Sequence, residues 1–543
     1  MLRENPLYYL RHEDGFEKTN DVDKFFEKHG THGLITTFIE VTKVSFQFNQ
    51  ISRNYVGRFL AFVALIASAT EFSQARDTSD IEAPNSEHVP SADQFWGVAD
   101  LVHPTMPLRG AASCAASSCH GGPLAAVSST TVPRGSEYPL FIENDPHSRS
   151  WRTLNSPESI EILTKLGILK SGAIVQPKAW ENCLACHNTD RNVLTNDASP
   201  EIVEGVGCES CHGPSQAWYA SHYQGPESVR IAKSELGLID TKPLLQRART
   251  CTLCHVGAKD RDMNHDIIAA GHPALYFDMA VYHDAYPKHW REAESNEKAF
   301  RAKLWWAGQV AKADAELELL EARTTSNHTV SVWPEFAMFQ CTSCHVTLDG
   351  SPSEPNTSPA SDAIVWDTLG KASVRRWNLR GVELLLEGIP PSGSQQVNST
   401  KKSLEELLAA INTPNAPRES ITNRATILRN QIAGQLSQEN TRLGRWTTQS
   451  QQQQALDRLQ QSVDTQDWEQ AALAYVAAWT AIHQPPSSGL KDDMATIRNG
   501  LVFPLRSQSP LFPRTDTSET RPTRQQWSSA VQQVVDSIKM GQP

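Results

Sequence analysis

Four times between Cys183 and His345, two cysteines stand three residues apart and a histidine follows the second directly. These are Cys183-Leu-Ala-Cys186-His187, Cys208-Glu-Ser-Cys211-His212, Cys251-Thr-Leu-Cys254-His255 and Cys341-Thr-Ser-Cys344-His345. A fifth copy, Cys114-Ala-Ala-Ser-Ser-Cys119-His120, carries two extra residues in its spacer. At the Cys and His frequencies of this chain, chance would supply roughly 0.006 strict matches. The pattern has a chemical reason. Two thiols at this spacing reach the two vinyl groups of a haem while the adjacent imidazole reaches the iron from one face. All ten cysteines lie in these motifs, so five covalently attached haem c groups would leave no thiol for a disulfide. Zinc or disulfides would also account for paired cysteines. Neither gives a reason for a histidine after every second Cys.

Each motif supplies one axial ligand, so His120, His187, His212, His255 and His345 are assigned to iron, and the sixth ligands must come from elsewhere. The first candidates are His147, His222, His265 and His272, followed by His103 and His289; His88, His283, His328 and His483 rank below them. His265 and His272 stand seven apart, a spacing that can share one helix face and serve two different haems. Met263 is the only methionine beside a motif and offers a weaker alternative ligand. The first motif is irregular. Its four-residue spacer must loop outward, which its small residues allow, for both Cys114 and Cys119 to bond; otherwise Cys119 alone attaches the haem. This site is left with the least certain sixth ligand.

Around the motifs, the chain of 543 residues divides by composition. Residues 1–75 are an N-terminal extension followed by Arg53 and Arg58, an apolar core at 59–69 and Ser73-Gln-Ala75. That is the layout of a secretory signal, displaced from Met1; an over-extended gene start or an unusual leader explains the displacement, and a buried core helix is the alternative. The run is short for a membrane span, so no span is expected in the mature chain, which would be periplasmic or extracellular. Residues 76–350 read as a pentahaem cytochrome c domain and 351–543 as a helical C-terminal domain, with the Ser/Pro-rich Ser351–Pro359 between them. The fold class is mainly α with little sheet. The longest internal helix is expected at Glu294–Arg323, with Trp305-Trp306 favoured as a haem contact over a purely protein one. After the haem region, helices are expected near Asp367–Glu387, Ser403–Ile411, Ile421–Leu436, Gln451–Val463, Trp468–Ile482 and Gln525–Ile538. The net charge of −11, made more negative by haem propionates, excludes nucleic acid as a partner.

Several stretches carry a resemblance: Asp145-Pro-His-Ser, the Cys183 motif, Gly205-Val-Gly-Cys208-Glu-Ser-Cys-His-Gly-Pro214 with Trp218 and His222 behind it, and Asn264-His-Asp-Ile-Ile-Ala-Ala-Gly-His-Pro273. Across roughly residues 110–350 the chain resembles the tetrahaem cytochromes of ammonia oxidation and their multihaem relatives, pentahaem nitrite reductase and octahaem hydroxylamine oxidoreductase. The resemblance implies closely packed haems with mostly bis-His iron, and His147 and His222 as distal ligands. The nitrite reductase marks its active haem with Lys in place of the motif His, and no C-x-x-C-Lys occurs here.

The leading expectation is therefore an exported pentahaem cytochrome that passes electrons between redox protein partners, as a carrier or as a subunit of a respiratory complex. An enzyme is the alternative: a reductase or oxidase of nitrite, hydroxylamine or a sulfur oxyanion at one haem with an open sixth position, with Arg149, Arg152 or His283 steering the anion. A third reading gives the C-terminal helices a role in self-association or in docking to a complex.

Overall fold

The chain divides into two units, Met1–Glu87 and His88–Pro543. The computed structural model describes, all within the second unit, residues 107–123, 135–190, 204–224, 236–290, 300–325, 333–345, 374–387, 394–436, 455–462, 467–481, 488–501 and 522–539. The apolar run at 59–69 lies outside the described residues, as do His88, His103, His328 and His483. Among the described residues no helix is long and apolar enough to cross a membrane.

The described fold is mainly α. Its one sheet is a two-stranded antiparallel hairpin, β1 (Leu169–Lys170) and β2 (Ala173–Ile174). Before the hairpin come α1 (Glu137–Asn144) and α2 (Pro157–Lys165). The start of α2 follows from its sequence: the Ser156 hydroxyl accepts from Ser159 N at 3.2 Å and Pro157 occupies the first turn, where its missing N–H costs nothing. Next come α3 (Pro177–His187), α4 (Cys208–His212), α5 (Leu244–His255), α6 (His265–Ala270) and α7 (Met279–Ala285). Asn264 caps α6 by accepting from Ile267 N at 3.0 Å.

The 26-residue α8 (Phe300–Thr325) organises the rest. It is buried on nearly every side, from Phe300 and Trp305 to Leu317 and Leu320, and so forms the core element of this part of the fold. Against it pack α5, α7, α9 (Trp377–Glu387), α11 (Arg418–Leu436) and α12 (Trp468–Ala481); α10 (Ser394–Ile411) lies on α11, and α13 (Ser488–Gly500) pairs with α14 (Arg524–Lys539). One apolar cluster runs without a break from Leu245 to Val535. Trp305 and Trp306 sit inside it and do not line the cavity described below, which corrects the expectation that they touch a haem. Helix α8 lies where the apolar periodicity put it, with its end two residues further on; residues 294–299 lie outside the described residues. The pattern missed α13, although Leu490, Met494, Ile497 and Leu501 form a buried stripe; Gly489 and the Asp492-Asp493 pair mask it.

Buried charge fastens the haem region to these helices. Asp314 of α8 sits 2.7 Å from Arg429 of α11 and 3.4 Å from Arg249 of α5, two positions before Cys251. Arg249 also bonds Glu318, and Arg323 binds Asp262 at 2.6 Å. At such burial a pair is stabilising only while every member keeps its partner.

Candidate haem-binding site

The motifs sit at helix ends. The second closes α3, the third is α4 itself, and the fourth closes α5. The fifth forms a 3-10 turn, Cys341–Ser343, with His345 N donating to Cys341 O at 2.9 Å. A helical C-x-x-C places both thiols on one face, because residues three apart are neighbours there. The irregular first motif opens with a 3-10 turn, Ala111–Cys114, and then loops; Cys119 N and Gly121 N both return to Ala116 O, at 2.8 and 3.0 Å. All ten cysteines are free of disulfides.

Every motif histidine faces one histidine from outside the motifs. The ring centres of His120 and His222 are 6.1 Å apart, those of His147 and His255 6.2 Å, and those of His187 and His272 6.2 Å. His212 and His289 are 6.3 Å apart, as are His265 and His345. The spacing is telling. A metal–imidazole bond is about 2.0 Å, so two of them plus two half-rings span about 6.3 Å. Imidazoles in van der Waals contact could sit closer, and ones linked by a hydrogen bond would not hold a single value. Helix α6 serves two pairs: His265 at its start faces the fifth motif and His272, just past its end, faces the second.

Outward bonds turn five of these rings to expose Nε2. The Nδ1 atoms of His222, His272 and His187 lie 2.6, 2.9 and 3.1 Å from the carbonyl oxygens of Tyr219, Pro273 and Ser150. A carbonyl can only accept, so Nδ1 carries the proton and Nε2 keeps its lone pair. For His147 and His120 the acceptors are carboxylates, Asp145 at 2.9 Å and Glu137 at 3.1 Å. Burial pushes His212 and His255 down to about 4 and lowers His187, His272 and His289 as well. All five are thus neutral near pH 7, as metal ligands must be. Burial alone would raise Asp145 and lower His147. Their mutual hydrogen bond and charge outweigh it and move both the other way.

The first four pairs and the cysteines of their motifs line one cavity of about 1860 Å³, beyond the roughly 300–1,000 Å³ of an ordinary ligand pocket. The first and third motifs meet there: Cys114 is drawn down to about 6, chiefly by a hydrogen bond from Cys208, while the same bond pushes Cys208 up. The fourth and second meet where the Cys254 thiol approaches Ala185 O at 3.9 Å. The fifth pair lies apart. Glu335 positions it by accepting from His265 N at 2.8 Å, and Phe336, largely exposed, edges the His265 ring at 5.7 Å. Among the described residues no three His, Cys, Asp or Glu converge as a metal cluster would require. The residues present fit haem: paired thiols, facing imidazoles and apolar space between them.

Of the other candidates, His283 packs against Trp290 and Phe300 with Arg247 at 3.3 Å. Met263 lines the cavity, but His147 occupies the place opposite His255. Arg149 and Arg152 do not line it. The sequence reading passed over the second layer, Glu137, Glu204, Glu209 and Tyr286. Glu209 is buried and accepts from the backbone N–H of Arg109, Gly110 and Ser215; a carboxylate one position after a motif cysteine is the available sequence signal.

No curated protein and no solved structure matches the chain. Residues 134–213, which hold α1, His147 and the second and third motifs, match the family model described as cytochrome c554 and c-prime, so this part of the chain is similar to c-type cytochromes that bind haem covalently and act in electron transfer.

Proposed function

We propose that this protein is an exported pentahaem c-type cytochrome that carries electrons between redox protein partners, with every iron held by two histidines. The supporting observation is the set of five imidazole pairs, each at 6.1–6.3 Å. On this reading the haems are attached through Cys114 and Cys119, Cys183 and Cys186, Cys208 and Cys211, Cys251 and Cys254, and Cys341 and Cys344. The pairs are His120/His222, His187/His272, His212/His289, His255/His147 and His345/His265. Bound haem supplies a one-electron ferric–ferrous couple. The chain's part is to fill both axial positions, fix the tautomers through Nδ1, and exclude water with the apolar walls. A filled sixth position leaves no place for nitrite or hydroxylamine, which sets this reading against the reductase. Export is proposed from the signal-like run at 59–69.

Intact-mass measurement of the secreted protein should give five haem additions, and N-terminal sequencing should begin near Arg76. The EPR spectrum of the oxidised protein should be wholly low-spin. A high-spin component that responds to nitrite or hydroxylamine would overturn the carrier reading in favour of the enzyme.

A further inference from the structure

Of the five pairs, only His255/His147 has a deeply buried carboxylate on an imidazole. The Asp145 side chain is 3 % exposed, and it accepts from His147 N and from His147 Nδ1, each at 2.9 Å. Its second oxygen accepts from the Tyr286 hydroxyl at 2.5 Å. Tyr286 is itself locked in place, stacked on Trp290 at 5.7 Å and set against His289 at 6.2 Å. The comparison with the first pair is instructive. Glu137 also meets an imidazole Nδ1, that of His120, but the Glu137 side chain is 25 % exposed against 3 % for Asp145; the imidazoles differ less, His120 being 43 % and His147 34 % exposed. Water screens that charge, whereas the charge of Asp145 acts at low dielectric. The acceptors on His222, His272 and His187 are neutral carbonyls.

We propose that Asp145 is a positioning residue that fixes His147 with Nε2 toward His255 and makes the haem held there harder to reduce than its neighbours. This rests on the ligand pairing proposed above. The physical reason is that a carboxylate drawing on Nδ1–H gives the imidazole partial imidazolate character, which makes it a stronger donor and favours ferric iron. Tyr286 tempers the effect, because its hydroxyl draws charge off the same carboxylate. Two substitutions therefore act with opposite sign. Asp145→Asn keeps an oxygen to accept from His147 and removes the charge, so one midpoint potential should rise. Tyr286→Phe returns charge to the carboxylate, so the same potential should fall. A role in packing alone would move both variants the same way or neither.

The experiment is a spectroelectrochemical titration of the purified holoprotein and both variants, with EPR on each oxidised sample. Expected is a low-spin spectrum throughout, and one of five potentials shifted in opposite directions by at least tenfold in the reduction equilibrium for Asp145→Asn, about 59 mV for one electron. Potentials unchanged in both variants, or shifted in the same direction, would overturn the role of Asp145 while leaving the ligand pairing intact. A high-spin wild type would overturn the pairing itself and this inference with it. Should Asp145→Asn fail to retain haem, Tyr286→Phe decides alone: a downward shift supports the inference and no shift refutes it.

Discussion

Gly205 tests whether the backbone really holds His147 where the paired imidazoles require it. Its φ of 78° lies outside what L side chains adopt readily, and a Cβ built there would stand 2.3 Å from the His147 carbonyl oxygen and 2.8 Å from Ser150 Oγ. That carbonyl is in use: it accepts from Val206 N at 3.0 Å and from Ser150 Oγ at 2.7 Å. In Gly205→Ala the left-handed backbone costs about 1–2 kcal/mol. Displacing the carbonyl loses two hydrogen bonds worth about 1 kcal/mol each. The unfolded chain's lost freedom returns less than about 1 kcal/mol. The net expectation is a destabilisation of about 3 kcal/mol, read as a lower midpoint in urea unfolding of the holoprotein. Moving the carbonyl also moves the imidazole, so one low-spin EPR signal should broaden or turn high-spin. A loss below about 1 kcal/mol with an unchanged spectrum would refute the idea that this close approach sets the ligand.

Three further outcomes follow from the same geometry. His222→Ala removes the ring that faces His120, and EPR of the oxidised protein should then show one high-spin haem in five that binds added imidazole. Glu204 is held up to about 7, by burial first and then by the charge of Glu209; the folded protein thus binds this proton more tightly than the unfolded chain, and stability falls as pH rises from the ordinary carboxylate range through about 7, by at most about 3 kcal/mol. Glu204→Gln, which can still accept from Ala111 N, should flatten that slope in urea titrations at pH 5 and pH 8. Asp314→Ala strands the Arg249 and Arg429 guanidiniums in the core, and although Glu318 and Glu321 remain beside them, about 3 kcal/mol of stability should be lost in the same assay.

The proposed attachment sites are legible in the sequence because c-type chemistry demands adjacent residues, and adjacency is what a sequence displays. Candidates for the sixth positions are also visible, since His147, His265 and His272 stand in helix-start or helix-end contexts and His222 follows the third motif by ten residues, beyond Trp218. Their assignment to particular motifs is not. His147 faces His255 across more than a hundred residues of chain, and across a similar distance His222 faces the irregular first motif, the one whose sixth position is least secure from sequence. His289 could not be separated from His103 by sequence, since both simply adjoin a Pro or Trp. Trp305 and Trp306 misled for a different reason: apolar walls around a porphyrin and an apolar protein core select the same residues, and only the packing of α8 tells them apart.

The five motifs share two cysteines and a histidine, the first with a longer spacer, and their surroundings differ in the features that set a potential: burial, charge and the acceptor on Nδ1. His120, His212 and His255 are half-buried and His345 is exposed, burial lowers His212 and His255 strongly, and Asp145 hydrogen-bonds one ring, that of His147. On the proposed assignment a spread of potentials needs no change of ligand. Those surroundings are held partly by helices far along the chain. Arg249, next to the fourth motif, is tied through Asp314 to Arg429 of α11; Arg375 N donates to Met338 O at 2.8 Å just before the fifth motif, and Phe339 bridges to Val374. A chain ending at Ser351 would uncover the faces of α8 that α9, α11 and α12 bury, around Trp305 and Leu317. Haem attachment at the first three motifs should survive that truncation better than at the fourth and fifth, because α8 and its partners stand directly behind only those two. Equal retention of all five haems, measured by intact mass, would show that the C-terminal helices serve something other than support.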